Sequence, residues 1–451
     1  MEMRLVGLKG VLLAMCAFSG GACMTALGGG SRAARGETPY GAVEQLGRVL
    51  VEVESEYVDP VDRAKLVSGA IKGMVAELDP HSSYMDAEEF QAFQNDTQGQ
   101  FGGIGIEVET RNDQIVVLSP IGGSPAERAG IQSGDVIVSV EGRDATSQPL
   151  DKLVKHLRGA PGGHVKIGVR RQGLSDLLSF DLVREVIHVP SVAAKLLSGR
   201  VAYVRIKQFQ ERTHDELLDA AAKLRARAGG RFSGIILDLR SDPGGLVDQA
   251  ADVADEFLDE GVIYTARHRG RIVDEVKARS GGAFVDPPCV VLVNQYTASA
   301  SELVAGALQD HKRASIVGEP TFGKGSVQAI VSLPGGAGMR LTVSRYYTPG
   351  GHAIQADGVH PDVAVEIKKT EGAVSYREKD LEGHLAPESA AGLEARPKGV
   401  VVVAADAASP VPEPSRSDAR NVPDDPEKGN DAMLKVGWEV LQRALASQPT
   451  R

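Results

Sequence analysis

The 451-residue sequence predicts an α/β + β protein: an α/β core with a small β-rich module inserted ahead of it, an N-terminal helical unit, and a C-terminal linker plus helix. Three observations carry this. Between 190 and 369, short apolar strands alternate with amphipathic helical stretches, the pattern of an α/β layer with a largely buried sheet. Between 99 and 186, the strands are short and punctuated by glycine. Ahead of both, apolar residues recur at helical spacing.

Composition bounds the function. With 50 Lys+Arg against 60 Asp+Glu the net charge is −10, which argues against nucleic acid as the main partner, since neutralising phosphates needs a basic face. Hydrophobic residues at 42% are enough for real cores. Gly and Pro, 52 and 23, stay well below the level of low-complexity chains, which argues against collagen and wholesale disorder. The length suggests about three domains at roughly 150 residues each. Three cysteines occur, Cys16, Cys23 and Cys289, with no CxxC pair. No disulfide framework is expected, and Cys289 reads as a strand residue in a core.

Residues 1–39 read as an export segment and tether. Arg4 and Lys9 precede the apolar stretch Val11–Phe18, and small residues follow to Gly30. The apolar centre is short for a spanning helix. Cleavage fits after Ala22 or Ala33. Cys23 suggests lipid attachment, although no leucine stands three residues before it. The expectation is an exported protein, periplasmic or anchored to the outer face of the inner membrane, with membrane association only through this N-terminus.

Residues 40–98 form the helical region: Val43, Leu46, Val49, Leu50, Val53 and Tyr57 share one helical face, and Val67, Ile71, Met74 and Leu78 another. The stretch ends in the loop Leu78-Asp-Pro-His-Ser-Ser-Tyr84, whose His81, beside Pro80, reads as structural. From 99 to 186 the strands Gly103–Val108, Gln114–Leu118 and Gly134–Val140 enclose a short helix at Ser124-Pro-Ala-Glu-Arg-Ala-Gly130. Helix and strands follow to Val183. This order, with its Gly-rich entry, resembles a PDZ domain. The backbone amides of Phe101-Gly102-Gly103-Ile104-Gly105 would then form a nest for a C-terminal carboxylate, and a peptide would add as a strand. The plainer alternative is that these glycines only make a tight turn.

From 187 to 385 strands and helices alternate: Val201–Ile206, a helix over 214–228, Gly234–Asp238, a helix over 246–258, Cys289–Val293, a helix over 300–310, and Ser315–Val317. A β-hairpin over Val327–Leu333 and Met339–Tyr346 follows. Residues 386–430, with Pro410, Pro412, Pro414, Pro423 and Pro426 among Ser, Asp and Glu, read as a disordered linker. Residues 431–451 hold an amphipathic helix, Met433–Leu445, with the only tryptophan, Trp438, suited to docking or oligomerisation.

The chemistry concentrates in two segments. In the first, an apolar strand runs into Thr297-Ala-Ser-Ala-Ser-Glu302 and then a helix. A serine at that junction lies beside unpaired helix N–H groups that can stabilise an oxyanion. Helix capping explains the same pattern, since Glu302 stands three residues after Ser299. In the second, Gly318-Glu-Pro-Thr-Phe-Gly-Lys-Gly325 holds a single lysine, Lys324. A phosphate loop is argued against, because the hydroxyl residue needed after the lysine is Gly325, and a strand follows instead of a helix. A lysine among glycines can serve as a base where burial lowers its pKa, because the neutral amine can take a proton from a serine hydroxyl; the plainer alternative is a surface lysine in a turn.

These segments, with Leu237-Asp-Leu-Arg-Ser-Asp-Pro-Gly-Gly-Leu246, Leu341–Gly350 and Gly358-Val-His-Pro-Asp362, resemble the carboxyl-terminal processing (tail-specific) serine protease family. The resemblance runs from about 40 to 385. It implies a serine nucleophile 25 residues before the lysine, which is Ser299 and not Ser301. It implies Lys324 as base and Gln328, four residues on, as the residue orienting the amine. It implies oxyanion donors from the Ala300 N–H and from Gly244 or Gly245. It implies a serine endopeptidase that cleaves exported proteins near their C-termini without metal or cofactor. The PDZ domain would recognise the substrate tail and gate the site. It implies a homo-oligomer, and an adaptor lipoprotein as a possible partner. A Ser-His-Asp enzyme lacks support, with no G-x-S-x-G elbow and ten scattered histidines. The alternative function is a PDZ-containing scaffold or chaperone without proteolysis.

Overall fold

A computed structural model describes residues 39–111, 114–146, 148–366, 376–387, 401–404 and 425–447. The expected export segment and most of the expected linker lie outside the described residues. The chain divides into two compact units, Met1–Ile71 and Lys72–Arg451.

In the first unit, α1 (Pro39–Glu56) leads to the start of α2 (Arg63–Ala76). Arg63 pairs with the Glu54 carboxylate, Nη2 to Oε2 2.7 Å. Of the apolar positions that set the helical period of α1, Val43 at 66%, Leu46 at 48% and Val49 at 54% are exposed, whereas Leu50 and Val53 are half-buried. Periodicity therefore marks a helix here but not a buried face.

The second unit continues with β1 (Ser83–Met85) and α3 (Ala87–Thr97). Asp86 caps α3 reciprocally: its carboxylate accepts from the Glu89 N–H, and its own N–H donates to the Glu89 carboxylate. A β module follows, made of β2 (Gln100–Gly103), β3 (Ile106–Arg111), β4 (Gln114–Pro120), the single turn α4 (Pro125–Arg128), β5 (Val136–Val140), β6 (Arg143–Asp144), α5 (Leu150–Leu157), β7 (His164–Arg170), β8 (Leu178–Val183) and β9 (Glu185–His188). Its main sheet runs β3-β4-β5-β7-β8, with β6 on β5, and β2 pairs antiparallel with β9 where the chain enters and leaves. Strand alternation sends Ile115, Val117, Ile137, Val165, Ile167 and Val169 inward, against Leu153 of α5.

The core is a seven-stranded sheet in the order β10 (Val192–Leu197), β11 (Val201–Ile206), β12 (Gly234–Asp238), β15 (Cys289–Val293), β16 (Ala314–Gly318), β19 (Val363–Glu366) and β20 (Val401–Ala404). Only β10 runs antiparallel to its neighbour. Its central strands β11, β12 and β15 are buried at every position, because both faces are covered. Ala202, Val204, Leu237 and Val291 face α6 (Thr213–Arg227), α7 (Val247–Asp255) and α8 (Ala300–Asp310). Val201, Tyr203, Ile236 and Leu292 face the C-terminal helix α9 (Ala432–Ala446), through Met433, Leu434, Trp438 and Leu441. Of the two uses open to that helix, docking is the one it makes in this chain. Cys289 lies buried in β15 as a free thiol.

A second sheet runs β1, β18 (Gly338–Tyr347), β13 (Val262–His268), β14 (Arg271–Lys277), with β17 (Ser326–Ser332) also on β18. One expectation is corrected. Within 386–430, read as a disordered linker, Val401–Ala404 adds in parallel to β19 as an edge strand. Consecutive valines suit a pleated edge, and composition averaged over a Pro-rich stretch hides so short a run. Among the described residues, no helix is long and apolar enough to cross a membrane.

Candidate active site

The site forms where β12 and β15 end side by side. Being parallel neighbours, they deliver their following turns, 239–246 and 294–299, to the same edge of the sheet. The turns are laced together. Asn294 Oδ1 accepts from the Ser241 N–H at 2.9 Å, Thr297 Oγ1 donates to the Leu239 carbonyl at 2.9 Å, and the Ala298 N–H donates to the Asp242 carbonyl at 2.9 Å. The Ser301 hydroxyl donates to the same Asp242 carbonyl at 3.2 Å and is fully buried. The Ser301 hydroxyl thus ties the two turns together.

Ser299 is different. Its backbone adopts φ +58°, rare for a residue with a Cβ, at the first position before α8. That conformation is held by Glu302, whose carboxylate accepts from the Ser299 N–H at 2.7 Å. The Ser299 hydroxyl meets the Tyr346 hydroxyl at 3.0 Å. Burial pushes the Tyr346 phenol up to about 12, so it stays protonated and able to donate. Gly244 has to be glycine: a Cβ there would stand 2.7 Å from the Ala298 carbonyl oxygen and 2.8 Å from Ser299 Cβ. The Gly244 N–H donates to Asp242 Oδ1 at 2.8 Å. Burial pushes the Asp242 carboxyl up to about 8, against the hydrogen bond from Gly244.

Glu302 joins this turn to the lysine loop. Its carboxylate is fully buried and accepts from the Gly323 N–H at 2.7 Å, the Lys324 N–H at 2.8 Å and the Thr321 hydroxyl. Burial pushes it up to about 7, and those hydrogen bonds work in the opposite direction. Every group facing it is a donor, so the ionised form is the one that fits. Lys324 is half-buried, with Nζ donating to Gln328 Oε1 at 2.9 Å. Burial lowers its amine from 10.5 to about 8, and the Arg340 cation pushes the same way. Glu378, Glu302 and Asp79 pull it back. The structure thus brings Ser299, Ala300, Gly244, Gly245, Lys324 and Gln328 into one neighbourhood, while the hydroxyl of Ser299 bonds Tyr346 and the amine of Lys324 bonds Gln328.

The residues singled out in the β module lie in its entry strand and turn. Phe101 and Gly102 pair with Ile187 and Val186 of β9, and Gly103 with Glu185. The Arg158 guanidinium stacks on the Phe101 ring, 4.6 Å from its centre. Ile104 is buried in the module core. Gly105 takes φ +75°, where a Cβ would run into Ser124. Among the described residues, no cluster of His, Cys, Asp and Glu is placed to hold a metal ion.

Sequence reasoning missed several site residues. Glu302 was visible only as a helix-start residue. Thr342 and Tyr346 lie in the Leu341–Gly350 segment that carried the resemblance, but nothing there assigned them a partner; Glu378 and Gln355 carried no local signal, because their partners are distant in sequence. The Leu78–Tyr84 loop was visible as a loop, and nothing in it pointed to the lysine.

Three family descriptions match the chain: "Peptidase family S41" over 200–365, "PDZ domain" over 116–171 and "Activating protease CtpB N-terminal domain" over 29–89. The chain is 40% identical over 355 residues to a carboxy-terminal-processing protease of Bartonella bacilliformis, covering 77% of this chain and 82% of that one. It is 38% identical over 336 residues to a probable CtpA-like serine protease of Staphylococcus aureus (strain COL), covering 74% and 66%. A solved structure, a photosystem II D1 C-terminal processing protease, aligns with a TM-score of 0.44 at 33% identity, over 71% of this chain and 86% of that one.

Proposed function

The chain belongs to peptidase family S41, the carboxy-terminal-processing serine proteases, and we propose that it cleaves through a Ser299–Lys324 dyad. One observation carries the proposal. A lysine amine lowered to about 8 by burial and a serine in a strained backbone turn share a single anchor, the Glu302 carboxylate, through their own N–H groups.

In this reading Ser299 Oγ turns from Tyr346 toward Lys324 as a peptide carbonyl enters. The neutral amine takes the hydroxyl proton while oxygen attacks the carbonyl carbon. Oxyanion charge falls on the Ala300 N–H at the start of α8 and on an N–H of the Pro-Gly-Gly turn. Gly244 already donates to Asp242, so Gly245 is the glycine we assign. The protonated lysine then gives its proton to the leaving amine, and water hydrolyses the acyl-enzyme. Gln328 orients the amine by accepting one of its hydrogens.

The PDZ domain captures the substrate's C-terminal tail at the 101–105 turn and gates the site. Its exit strand is clasped to the core by Glu216, which accepts from the Ser191 N–H at 2.7 Å and meets His188 Nε2 at 2.5 Å, so tail binding has a defined joint to act on. The exposed apolar face of α1 supports assembly with a second copy of the chain. Export, a periplasmic or membrane-anchored location and an adaptor lipoprotein belong to the same proposal.

The test pairs the wild-type chain with Ser299→Ala, each incubated with an unstructured protein ending in an apolar tail, with fragments read by mass spectrometry. Cleavage by wild type alone is expected. Cleavage by both moves the nucleophile elsewhere. Loss of 99–186 is expected to change the preference for tailed over tail-less substrates, and an unchanged preference removes the gating role.

A further inference from the structure

Two hydrogen-bonded chains leave the lysine loop, and both end on the loop ahead of β1. In the first, Lys324 Nζ donates to Gln328 Oε1 at 2.9 Å, Gln328 Nε2 donates to Thr342 Oγ1 at 3.3 Å and to Ser326 Oγ at 2.9 Å, and the Thr342 hydroxyl donates to Asp79 Oδ1 at 3.1 Å. In the second, the Gly325 N–H donates to Gln355 Oε1 at 3.0 Å, Gln355 Nε2 donates to Glu378 Oε1 at 2.8 Å, and Glu378 Oε2 meets His81 Nε2 at 2.7 Å. Asp79 and Glu378 are both buried.

We propose that Asp79 is a positioning residue for the proteolytic reaction, acting through Thr342 and Gln328 to fix which way the Lys324 amine points. The proposal rests on the reading of Lys324 as the base. Its logic is the one-way character of an ionised carboxylate, which can only accept. Asp79 also accepts from the N–H groups of His81 and Ser82, each at 2.9 Å, and from the Ser82 hydroxyl at 2.7 Å. Burial opposes its charge, but the bonds from Ser82, His81 and Thr342 outweigh it and hold the carboxyl below its ordinary value.

With Asp79 ionised, the Thr342 hydrogen is committed to it, and the lone pairs of Thr342 Oγ1 face Gln328. Gln328 must then present its NH2 to Thr342 and its carbonyl oxygen to Lys324. A neutral amine that donates a hydrogen to this oxygen keeps its lone pair turned away from Gln328 and available to Ser299. With the amide reversed, NH2 would face the amine and take that lone pair as its acceptor. The β1–β18 pairing, Ser83 with Arg340, holds the 79–82 loop beside Thr342, and the Thr342 N–H donates to Ser82 Oγ at 3.0 Å. The Arg340 Nε donates to the His81 carbonyl at 2.9 Å.

The test uses the full chain with Asp79→Asn, Thr342→Val and Thr342→Ser, each alone and with Gln328→Ala. It measures kcat and KM on a tailed, unstructured substrate from pH 6 to 10, with rates normalised to the serine titre found with a fluorophosphonate. An asparagine can donate, which releases the constraint on Thr342. Asp79→Asn and Thr342→Val are expected to lower kcat about tenfold or more with KM within about twofold. Thr342→Ser keeps the hydroxyl and is expected to stay near wild type. In the Asp79→Asn/Gln328→Ala pair the losses are expected not to multiply, because both act on one relay.

The charged groups facing the lysine are Arg340, Glu378, Glu302 and Asp79. Removing the Asp79 charge, and with it the oxygen held toward the amine, favours the neutral lysine, so the acid limb of kcat is expected to move to lower pH. A variant that merely folds poorly would lose titre without moving that limb. An unmoved limb, multiplying losses or an unchanged kcat overturns the proposal. Lys324→Ala, run alongside, separates the two readings: residual cleavage there removes lysine as base and this proposal with it. An inactive Lys324→Ala beside an unaffected Asp79→Asn removes Asp79 alone.

Discussion

The turn that carries Ser299 and the loop that carries Lys324 draw their order from different places. Ser299 stands between β15, buried along its length, and α8, buried from Ala300 to Leu308, and its turn is tied to the end of the neighbouring strand through Asn294, Thr297, Ala298 and Ser301. These bonds follow from sheet topology: once β12 and β15 pair, the turns meet. The Lys324 loop instead takes its anchors from Glu302, Gln355 and Glu378, and through Gln328 and Thr342 from Asp79. The lesson is that the proposed nucleophile is held by the sheet, whereas the proposed base is assembled by remote segments docking on it. Displacing the 79–82 loop or the 376–380 turn reaches the base without disturbing the central strands.

The largest expected effect removes either half of the dyad. Ser299→Ala and Lys324→Ala are each expected to lower cleavage at least about a thousandfold. Lys324→Arg is expected not to restore it, because a guanidinium stays protonated. Fragment analysis with both variants side by side decides this.

Next comes the group shared by both halves. Glu302→Gln keeps one oxygen and sets an NH2 against two of the four donors, either the Thr321 hydroxyl and Gly323 N–H or the Ser299 and Lys324 N–H groups, at an expected cost of about 3 kcal/mol in stability. Calorimetry would show a lowered Tm, and cleavage should fall even for the folded fraction, since either orientation of the amide removes a bond to the lysine loop. Full activity in a stable Glu302→Gln protein would break the idea that one carboxylate couples the two segments.

The pH profile sharpens the contrast from the side of the base. A lysine lowered to about 8 must lose its proton before it can act, so kcat/KM is expected to rise with pH and level off above about 8. A midpoint near the histidine range of about 6.5 would point to a different base.

The smallest effect is expected at Ser301, whose hydroxyl ties the two turns and has no chemical role in the proposed mechanism. Ser301→Ala is expected to cost about 1 kcal/mol in stability and leave kcat near wild type. A large loss of kcat would mean that this second serine takes part in the reaction.

Much of the core was legible because its signals are local. Apolar runs such as Cys289–Val293 between turn residues read directly as buried strands, and Ala300–Asp310 as the helix after a hydroxyl-rich junction. The β13–β14 hairpin was not read, since β14 is exposed along most of its length and lacks the apolar alternation that marks a strand. The β20 strand was lost in a Pro-rich stretch, where partner strand β19 and not composition decides pairing. The helical period of α1 was legible as a helix, yet Val43, Leu46 and Val49 of its apolar face are exposed, because periodicity records where the apolar residues lie and not what covers them.

By itself the sequence determined the order of modules, the strand-to-helix junction with its serines, and the isolated lysine in a glycine loop. Each depends on residues within a few positions of one another, where covalent geometry sets the outcome. Only the tertiary structure decided that Ser301 is tied to a neighbouring turn while Ser299 is not, that Glu302 bridges the serine turn and the lysine loop, and that Asp79, hundreds of positions away, is linked to the lysine. Those relations are hydrogen bonds between buried groups distant in sequence. They form only after the strands have paired and water has left the site, when each buried donor and acceptor has to find its partner within the protein.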